Sequence, residues 1–164
     1  MRLYDWVYTH TAKFEAHRLR KGKMRMSVTE KLNGYGPLAG IKVVEVCTYV
    51  AAPATVRVLS EMGAEIIKVE SFAGDTQRTQ GPGFGCELTE TEDPTIDLNN
   101  TNKNWVSLNL KTEEGLTILK KLIADADVFM NNMRTGALEK LGLDYPTLSK
   151  EFPNLIWAQM RGYG

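Results

Sequence analysis

Five cationic side chains stand near the ends of predicted strands or in the helices that follow them, where side chains that converge in the fold can bind an anion. The five are Lys68, Lys111, Arg134, Lys140 and Arg161. A single lysine or arginine is by default a solvated surface charge, whereas several together can recognise a phosphorylated ligand. Asn132 and Met133 stand next to Arg134 and would offer an amide group beside an apolar wall. These residue types leave two hypotheses open: solvated charges, or a site for an anionic ligand.

Histidine is missing from residues 27–164, because His10 and His17 both lie near the amino terminus. This excludes Ser-His-Asp catalysis, Cys-His catalysis and a His-ligated metal site within that part of the chain. Cys47 and Cys86 lie far apart and match no metal-binding or redox spacing. We therefore expect no metal, and two reduced thiols in a cytoplasmic protein.

Two features resemble parts of a dinucleotide site. The Gly81-x-Gly-x-Gly run follows no predicted strand and opens no predicted helix, which favours a flexible loop. Glu70 stands about 23 residues after Cys47, where a dinucleotide fold places its ribose-binding acid. The first turn, Thr-Tyr-Val-Ala-Ala-Pro, has no glycine to admit a pyrophosphate, so an NAD enzyme is disfavoured.

The elements that must position these residues alternate between strand and helix. Residues 41–47 form a β-branched, apolar run typical of a buried parallel strand. A loop then leads to a helix expected to begin at Pro53 and stop at Gly63, before a second strand at residues 65–70. Strand, helix and strand make a right-handed βαβ unit.

The second half of the sequence repeats this alternation after a break. Residues 71–104 predict a long, partly ordered surface loop. Thr112 is expected to cap a helix, and the remaining strands and short helices follow. The strands are predicted at residues 105–110, 127–132 and 155–160, and the short helices at residues 136–141 and 145–152. The pattern predicts an α/β fold, a mainly parallel open sheet with flanking helices, whose ligand lies at the carboxyl ends of the strands.

The composition excludes several classes of protein. The 164 residues are 43% hydrophobic and 24% charged, with 20 basic and 20 acidic side chains. This argues against a disordered chain, a membrane span or a strongly basic nucleic-acid binder. Residues 1–26 nevertheless hold seven basic and two acidic side chains. We expect residues 1–33 to be a basic leader, disordered or a non-native extension, with a basic surface-binding arm as the alternative, and residues 34–164 to be the folded part.

Nine short segments taken together resemble the family III CoA-transferases, the family of formyl-CoA transferase and carnitine CoA-transferase. In order they are Gly40-Ile-Lys-Val-Val-Glu-Val46, Ala52-Pro53, Gly63-Ala-Glu-Ile-Ile-Lys-Val-Glu70, Gly74-Asp75, Asn102-Lys103, Leu108-Asn-Leu-Lys111-Thr, Ala126-Asp127-Val128, Gly136-Ala-Leu138 and Arg161-Gly-Tyr-Gly164. Further details resemble the branch that acts on 2-hydroxy acids such as 2-hydroxyisocaproate and phenyllactate. They are Ala51-Ala52-Pro53, Ala73-Gly74-Asp75, Asp97-Leu98-Asn99 and Arg134-Thr135-x-Ala137-Leu138.

The resemblance implies the N-terminal part of a Rossmann-like domain from an interlocked homodimer, with CoA bound along it. The positions carried over as CoA contacts are Val50, Ala51, Ser71, Leu108, Asn109, Leu110, Lys111, Asn132, Met133, Arg134 and Lys140. Ser71 stands where some members have an arginine, which puts one phosphate contact in question. Lys140 also replaces an arginine, and it keeps the charge but not the bidentate geometry.

The resemblance also implies a reaction between an acyl-CoA and a carboxylic acid through an aspartyl-CoA thioester. A carboxylate nucleophile needs no histidine to ionise it at pH 7. The family's nucleophilic aspartate belongs to a Gly-Asp step beyond Arg161-Gly-Tyr-Gly. We therefore expect a fragment without the catalytic aspartate, in which Asp75 is a turn residue and Asp127 starts a strand. The alternative is a non-catalytic module that binds a nucleotide or CoA.

Overall fold

A parallel sheet of five strands runs through the part of the molecule that the computed structural model describes, which is residues 35–87, 89 and 93–163. The strands are β1 (Lys42–Val46), β2 (Glu65–Glu70), β3 (Asn104–Ser107), β4 (Val128–Asn131) and β5 (Ile156–Gln159), in the spatial order β3-β2-β1-β4-β5. Every neighbouring pair is parallel. The predicted α/β fold is confirmed, and the basic leader predicted for residues 1–33 lies outside the described residues.

Helices connect the strands and cover the sheet. They are α1 (Ala51–Glu61), α2 (Pro94–Asn100), α3 (Glu113–Ala124), α4 (Thr135–Leu141) and α5 (Tyr145–Glu151), with 3₁₀ turns at Thr76–Thr79 and Gly81–Phe84. Of the helices described, none is long and apolar enough to cross a bilayer. The carboxyl ends of all strands meet at one edge, as parallel pairing requires.

The β1-α1-β2 unit follows the sequence closely. Strand β2 has the predicted bounds, whereas α1 begins at Ala51, two residues before the expected start at Pro53. The turn after α1 needs a glycine: Gly63 has a φ of +102°, and a Cβ there would lie 2.5 Å from the carbonyl oxygen of Tyr35. The predicted stop of α1 is therefore confirmed, and the prediction differs from the structure only in the first turn of the helix.

The helix predicted after Thr112 is confirmed as α3. The Thr112 hydroxyl accepts a hydrogen bond from the Gly115 N–H at 3.2 Å, which satisfies one backbone donor of the first turn. Glu113 and Glu114 in that turn match the positive end of the helix dipole. Together, the cap and the acidic residues explain where α3 begins.

The long loop predicted for residues 71–104 is wrong, because this segment contains both 3₁₀ turns and α2. Asp93 caps α2 by accepting a hydrogen bond from the Ile96 N–H at 3.2 Å. The buried positions of α2 are mostly polar (Thr95, Asn99 and Asn100), so the sequence shows no apolar stripe at helical spacing. The glycine run folds into the second 3₁₀ turn, and no strand precedes it.

The core lies on both faces of the sheet. On one face, Val44, Val46 and Phe129 pack among buried side chains from α3, α4 and α5. On the other face, Val43, Cys47 and Met130 pack against Ala52 and Val56 of α1. Strand β1 contributes to both clusters, which explains its continuous apolar run.

Replacement of Leu119 by alanine tests this core. Leu119 on α3 is 0% exposed, so Leu119→Ala should lower the free energy of unfolding by about 3 kcal/mol through the cavity it leaves. Its neighbour Ile118 is 44% exposed, so Ile118→Ala should change stability by no more than about 0.5 kcal/mol. Urea unfolding followed by circular dichroism measures both, and equal losses would contradict this packing.

Candidate functional site

A cavity of about 450 Å³ opens at the carboxyl edge of the sheet, beside the ends of β1 and β4. Here the chain turns from β1 towards β2 on one side and from β4 towards β5 on the other, which is where open α/β sheets bind ligands. The cavity interior is mainly apolar, formed by residues such as Val46, Val69 and Leu141. The fold therefore provides an apolar recess at the expected edge.

Eight of the eleven predicted site residues line this one cavity. They are Ser71, Leu108, Asn109, Leu110, Lys111, Asn132, Met133 and Lys140. They come from the ends of β2 and β4, from the β3-α3 connection and from α4. Lys111 and Lys140 are exposed, so they place two cations at the rim of an apolar cavity.

The three other predicted residues do not line this cavity. Ala51 and Arg134 line a second cavity of about 530 Å³, which shares Asn132 and Met133 with the first. Arg161 lines the second cavity too, and its Nε and Nη2 donate to Gln159 Oε1 at 2.9 and 2.7 Å. Val50 lines neither cavity and is 40% exposed, immediately before α1.

The Asn132 side chain joins two loops. Its Oδ1 accepts a hydrogen bond from the Thr48 N–H at 3.0 Å, and its Nδ2 donates to the Thr48 carbonyl at 2.8 Å. This paired contact attaches the loop after β1 to the end of β4. The Asn132 amide, which the sequence suggested as a ligand contact, therefore forms part of the cavity wall. The apolar side chain of Met133 lies beside it, as expected.

Four charged side chains form a continuous buried series that reaches the first cavity through Asp75, and we call it the buried charge chain: Lys103, Glu45, Lys68 and Asp75. Lys103 Nζ lies 2.8 Å from Glu45 Oε1, which lies 3.5 Å from Lys68 Nζ. Lys68 Nζ lies 3.1 Å from Asp75 Oδ2, and all four side chains are buried. The hypothesis that Lys68 binds the ligand is wrong, because its ammonium group is fully buried and paired.

Asp75 begins a turn, as predicted, and its carboxylate also contacts the loop after β1 and Lys68. Its Oδ1 accepts hydrogen bonds from the Gln77 N–H at 3.0 Å and from the Tyr49 N–H at 2.9 Å. Only 2% of Asp75 is exposed, and it also lines the first cavity. The carboxylate is thus shared between the first 3₁₀ turn, the loop after β1 and the buried charge chain.

Glu70 and Arg78 form an ion pair at the same edge. Arg78 Nη2 lies 3.2 Å from Glu70 Oε2, and the guanidinium carbon lies 4.9 Å from the ring centroid of Trp105. Burial raises the pKa of the Glu70 carboxyl, and the Arg78 charge opposes that rise. The Glu70 carboxylate is already paired with Arg78, so it is not free to bind a ribose hydroxyl. This agrees with the argument against an NAD site.

Cys47 belongs to the cavity wall as a neutral thiol. Only 1% of it is exposed, its Sγ donates to the Met130 carbonyl at 3.4 Å, and burial strongly raises its thiol pKa. Cys47 and Cys86 are both free thiols. Within the described ranges, no three His, Cys, Asp or Glu side chains are grouped to hold a metal ion.

The buried charge chain has a signal in the sequence that the spacing of motifs does not reveal. Glu45 and Lys68 stand in the middle of apolar strands, each with apolar neighbours on both sides. A charge in a strand buried on both faces requires an opposite charge or several hydrogen bonds nearby. That requirement marks these two residues as needing partners, which the structure shows to be one another, Asp75 and Lys103.

Comparison with known proteins shows the family. Residues 38–164 match the family model described as CoA-transferase family III. The chain belongs to this family, as its motifs predicted.

Two individual relatives match most of this chain. The chain is 46% identical over 132 residues to cinnamoyl-CoA:phenyllactate CoA-transferase of Clostridium sporogenes, covering 80% of this chain and 32% of the relative. It is 43% identical over 127 residues to (R)-2-hydroxy-4-methylpentanoate CoA-transferase of Clostridioides difficile, covering 77% of this chain and 32% of that relative.

A solved structure agrees with the fold. A CAIB/BAIF family protein from Brucella suis superimposes with a TM-score of 0.72 at 38% identity, covering 79% of this chain and 34% of that protein. The chain therefore spans about a third of the length of these relatives.

The raised pKa of Glu70 predicts a pH dependence. The folded chain holds the Glu70 proton more tightly than the unfolded chain, whose reference pKa is 4.5. The free energy of unfolding of the wild type should therefore fall, relative to Glu70→Gln, as pH rises from about 4.5 through the raised pKa. Urea unfolding between about pH 4 and pH 8 measures this difference, and a difference that rises with pH would contradict the assignment.

Proposed function

We propose that this chain takes part in the transfer of CoA between an acyl-CoA and a carboxylic acid, and that CoA binds in the first cavity. The observation that carries the proposal is the convergence on one cavity of eight residues that the family pattern specifies only as positions in the sequence. These positions span 70 residues of sequence, from Ser71 to Lys140, and they meet only through the fold.

The chemistry of the cavity supports CoA as the ligand. CoA joins a phosphorylated nucleotide to an apolar pantetheine arm, so it needs both an apolar recess and cations near its phosphates. Leu108, Leu110 and Met133 supply apolar wall, while Lys111 and Lys140 supply charge at the rim. An ammonium group contacts a phosphate as a point charge, so Lys140 serves there without the bidentate geometry of an arginine.

A 2-hydroxy acid is the proposed CoA acceptor. Its support is the identity of 46% and 43% to two relatives named for phenyllactate and for 2-hydroxy-4-methylpentanoate. A relative named for succinyl-CoA and L-malate, from Chloroflexus aurantiacus, is 42% identical. Because these relatives are named for different acids, the proposal does not specify the group attached to the 2-hydroxy acid.

The proposed reaction uses an aspartate carboxylate as the nucleophile. The carboxylate attacks the thioester carbonyl and releases CoA thiolate, and the thiolate then attacks the resulting mixed anhydride to give an aspartyl-CoA thioester and the free acid. The acceptor acid reverses these steps. Asp75 and Asp127 do not suit the role: Asp75 is fully engaged by its partners, and Asp127 Oδ2 accepts from the Lys42 N–H at 2.8 Å. We expect the 164 residues alone to bind CoA without turnover.

The domain division and the assembly belong to the same proposal. Residues 34–164 would form the CoA-binding part, with residues 1–33 as a separate basic leader. The family resemblance supports a homodimeric, cytoplasmic enzyme. Measurable turnover of a 2-hydroxyacyl-CoA by the purified 164-residue chain would refute the division of roles proposed here.

Calorimetry with CoA tests the binding site. Lys111→Ala and Lys140→Ala should each weaken CoA binding about tenfold, because each removes a charge-assisted contact to phosphate. Lys150→Ala on α5 is the matched control, since Lys150 is exposed and contributes to neither cavity. Its dissociation constant for CoA should equal that of the wild type.

Titration with NAD separates the proposal from its alternative. We expect no measurable NAD binding, because Glu70 is paired and the loop after β1 has no glycine. Tight NAD binding without CoA binding would instead favour a non-catalytic nucleotide-binding module.

A further inference from the structure

The loop after β1 has a backbone conformation that its residues do not favour. Tyr49 has a φ of 71°, in the left-handed region that non-glycine residues rarely adopt. Such a conformation is energetically unfavourable and persists only where surrounding contacts enforce it. Residues 48–50, which we call the first loop, lead directly into Ala51 at the start of α1.

Contacts from the buried charge chain reach the backbone before and inside the first loop. Lys68 Nζ donates to the carbonyl of Cys47, the residue before the loop, at 2.8 Å. Asp75 Oδ1 accepts from the Tyr49 N–H, inside the loop, at 2.9 Å. The Lys68–Asp75 ion pair joins these two anchor points.

Lys103, at the other end of the buried charge chain, contacts the backbone after the first loop. Lys103 Nζ donates to the carbonyl of Pro53, in the first turn of α1, at 2.8 Å. It also donates to Glu45 Oε1 at 2.8 Å and to Asn100 Oδ1 at 3.0 Å. The four buried charges thus hold the backbone before, within and after the first loop.

Stability alone does not explain this arrangement. A buried ion pair costs so much desolvation that apolar residues of similar volume often serve as well or better. Here burial disfavours the ionised forms: the pKa of the Glu45 carboxyl is raised and that of the Lys103 ammonium is lowered, each mainly by desolvation and against the pull of its charged partner. What apolar residues cannot supply is the set of hydrogen bonds to three backbone groups in and around one loop.

We infer that Asp75, supported by Lys68, is a positioning residue for CoA binding: it holds Tyr49 in the left-handed conformation and so fixes the first loop, whose Thr48 lines the first cavity. The inference rests on the proposed function, since it concerns the same site. In this inference Asp75 acts through the backbone of Tyr49, whose N–H donates to its Oδ1 at 2.9 Å.

Two variants test the positioning role. Asp75→Ala removes the acceptor of the Tyr49 N–H, so the first loop relaxes and CoA binding by the folded chain weakens at least tenfold. Glycine adopts positive φ about as readily as negative φ, so Tyr49→Gly added to Asp75→Ala should recover several-fold of the lost affinity. The double variant should recover none of the lost stability, because the Lys68 charge stays unpaired.

A matched control separates positioning from general destabilisation. Asp144 caps α5 by accepting from the Thr147 N–H at 3.0 Å, and α5 lines neither cavity. Asp144→Ala should shift the urea midpoint of unfolding to a lower concentration without changing the dissociation constant for CoA. All dissociation constants are measured under conditions in which circular dichroism shows each variant folded.

The inference is overturned if folded Asp75→Ala binds CoA as tightly as the wild type, or if Tyr49→Gly restores no binding. Should Asp75→Ala fail to fold, Asp75→Asn serves instead: it keeps an acceptor for the Tyr49 N–H but loses the charge, and it should weaken binding by a smaller factor. If the wild type binds no CoA, the proposed function fails, and NMR coupling constants decide the positioning role. They should report positive φ at Tyr49 in the wild type and its loss in Asp75→Ala; the same φ in both would overturn the inference.

Discussion

Two opposite charges buried side by side in a parallel sheet constrain the rest of this structure. Glu45 on β1 and Lys68 on β2 are both 0% exposed, in strands that must be covered on both faces. Neither can reach water, so each requires partners from outside the strands. Lys103 supplies one partner and Asp75 the other. Glu45 Oε2 lacks a hydrogen-bond partner among the described residues, so the compensation acts almost wholly through Oε1.

This constraint leads directly to the shape of the site. To bring Lys103 and Asp75 onto the strands, the segment between β2 and β3 must fold back over the sheet edge, which it does through two 3₁₀ turns and α2. The same two residues then contact the backbone around the first loop. Asn132 joins the loop to β4 from the other side. These contacts fix the ends of β1, β2 and β4 around one apolar cavity, with lysines at its rim.

Much of the fold could be predicted from local signals. The bounds of β2 followed from its apolar pattern, and the start of α3 followed from Thr112 and two glutamates, because caps and periodicity are local properties. Helix α2 could not be found in this way, since most of its buried positions are polar and leave no apolar stripe in the sequence. The prediction for Lys68 was wrong for a related reason: its burial depends on Asp75 and Glu45, which only the folded chain brings within reach.

The family pattern and the structure contribute different parts of the site. The pattern predicted the residues around the cavity, because their order in the sequence is specific even though each motif is short. It did not predict which of them are free to contact a ligand: the amide of Asn132 is occupied by Thr48, and Val50 lies outside the cavity. Side-chain hydrogen bonds decide such questions, and they depend on tertiary contacts that residue spacing does not encode.

CoA binding at the carboxyl edge of the sheet, beside the ends of β1 and β4, is the central claim. A titration of the ¹⁵N-labelled chain with CoA, followed by amide chemical shifts, tests it most directly. We expect shifts concentrated in residues 48–51, 108–111 and 132–140, with little change at the opposite edge around Lys42, Glu65 and Asp125. Shifts concentrated at that opposite edge, or no shifts at saturating CoA, would contradict the claim.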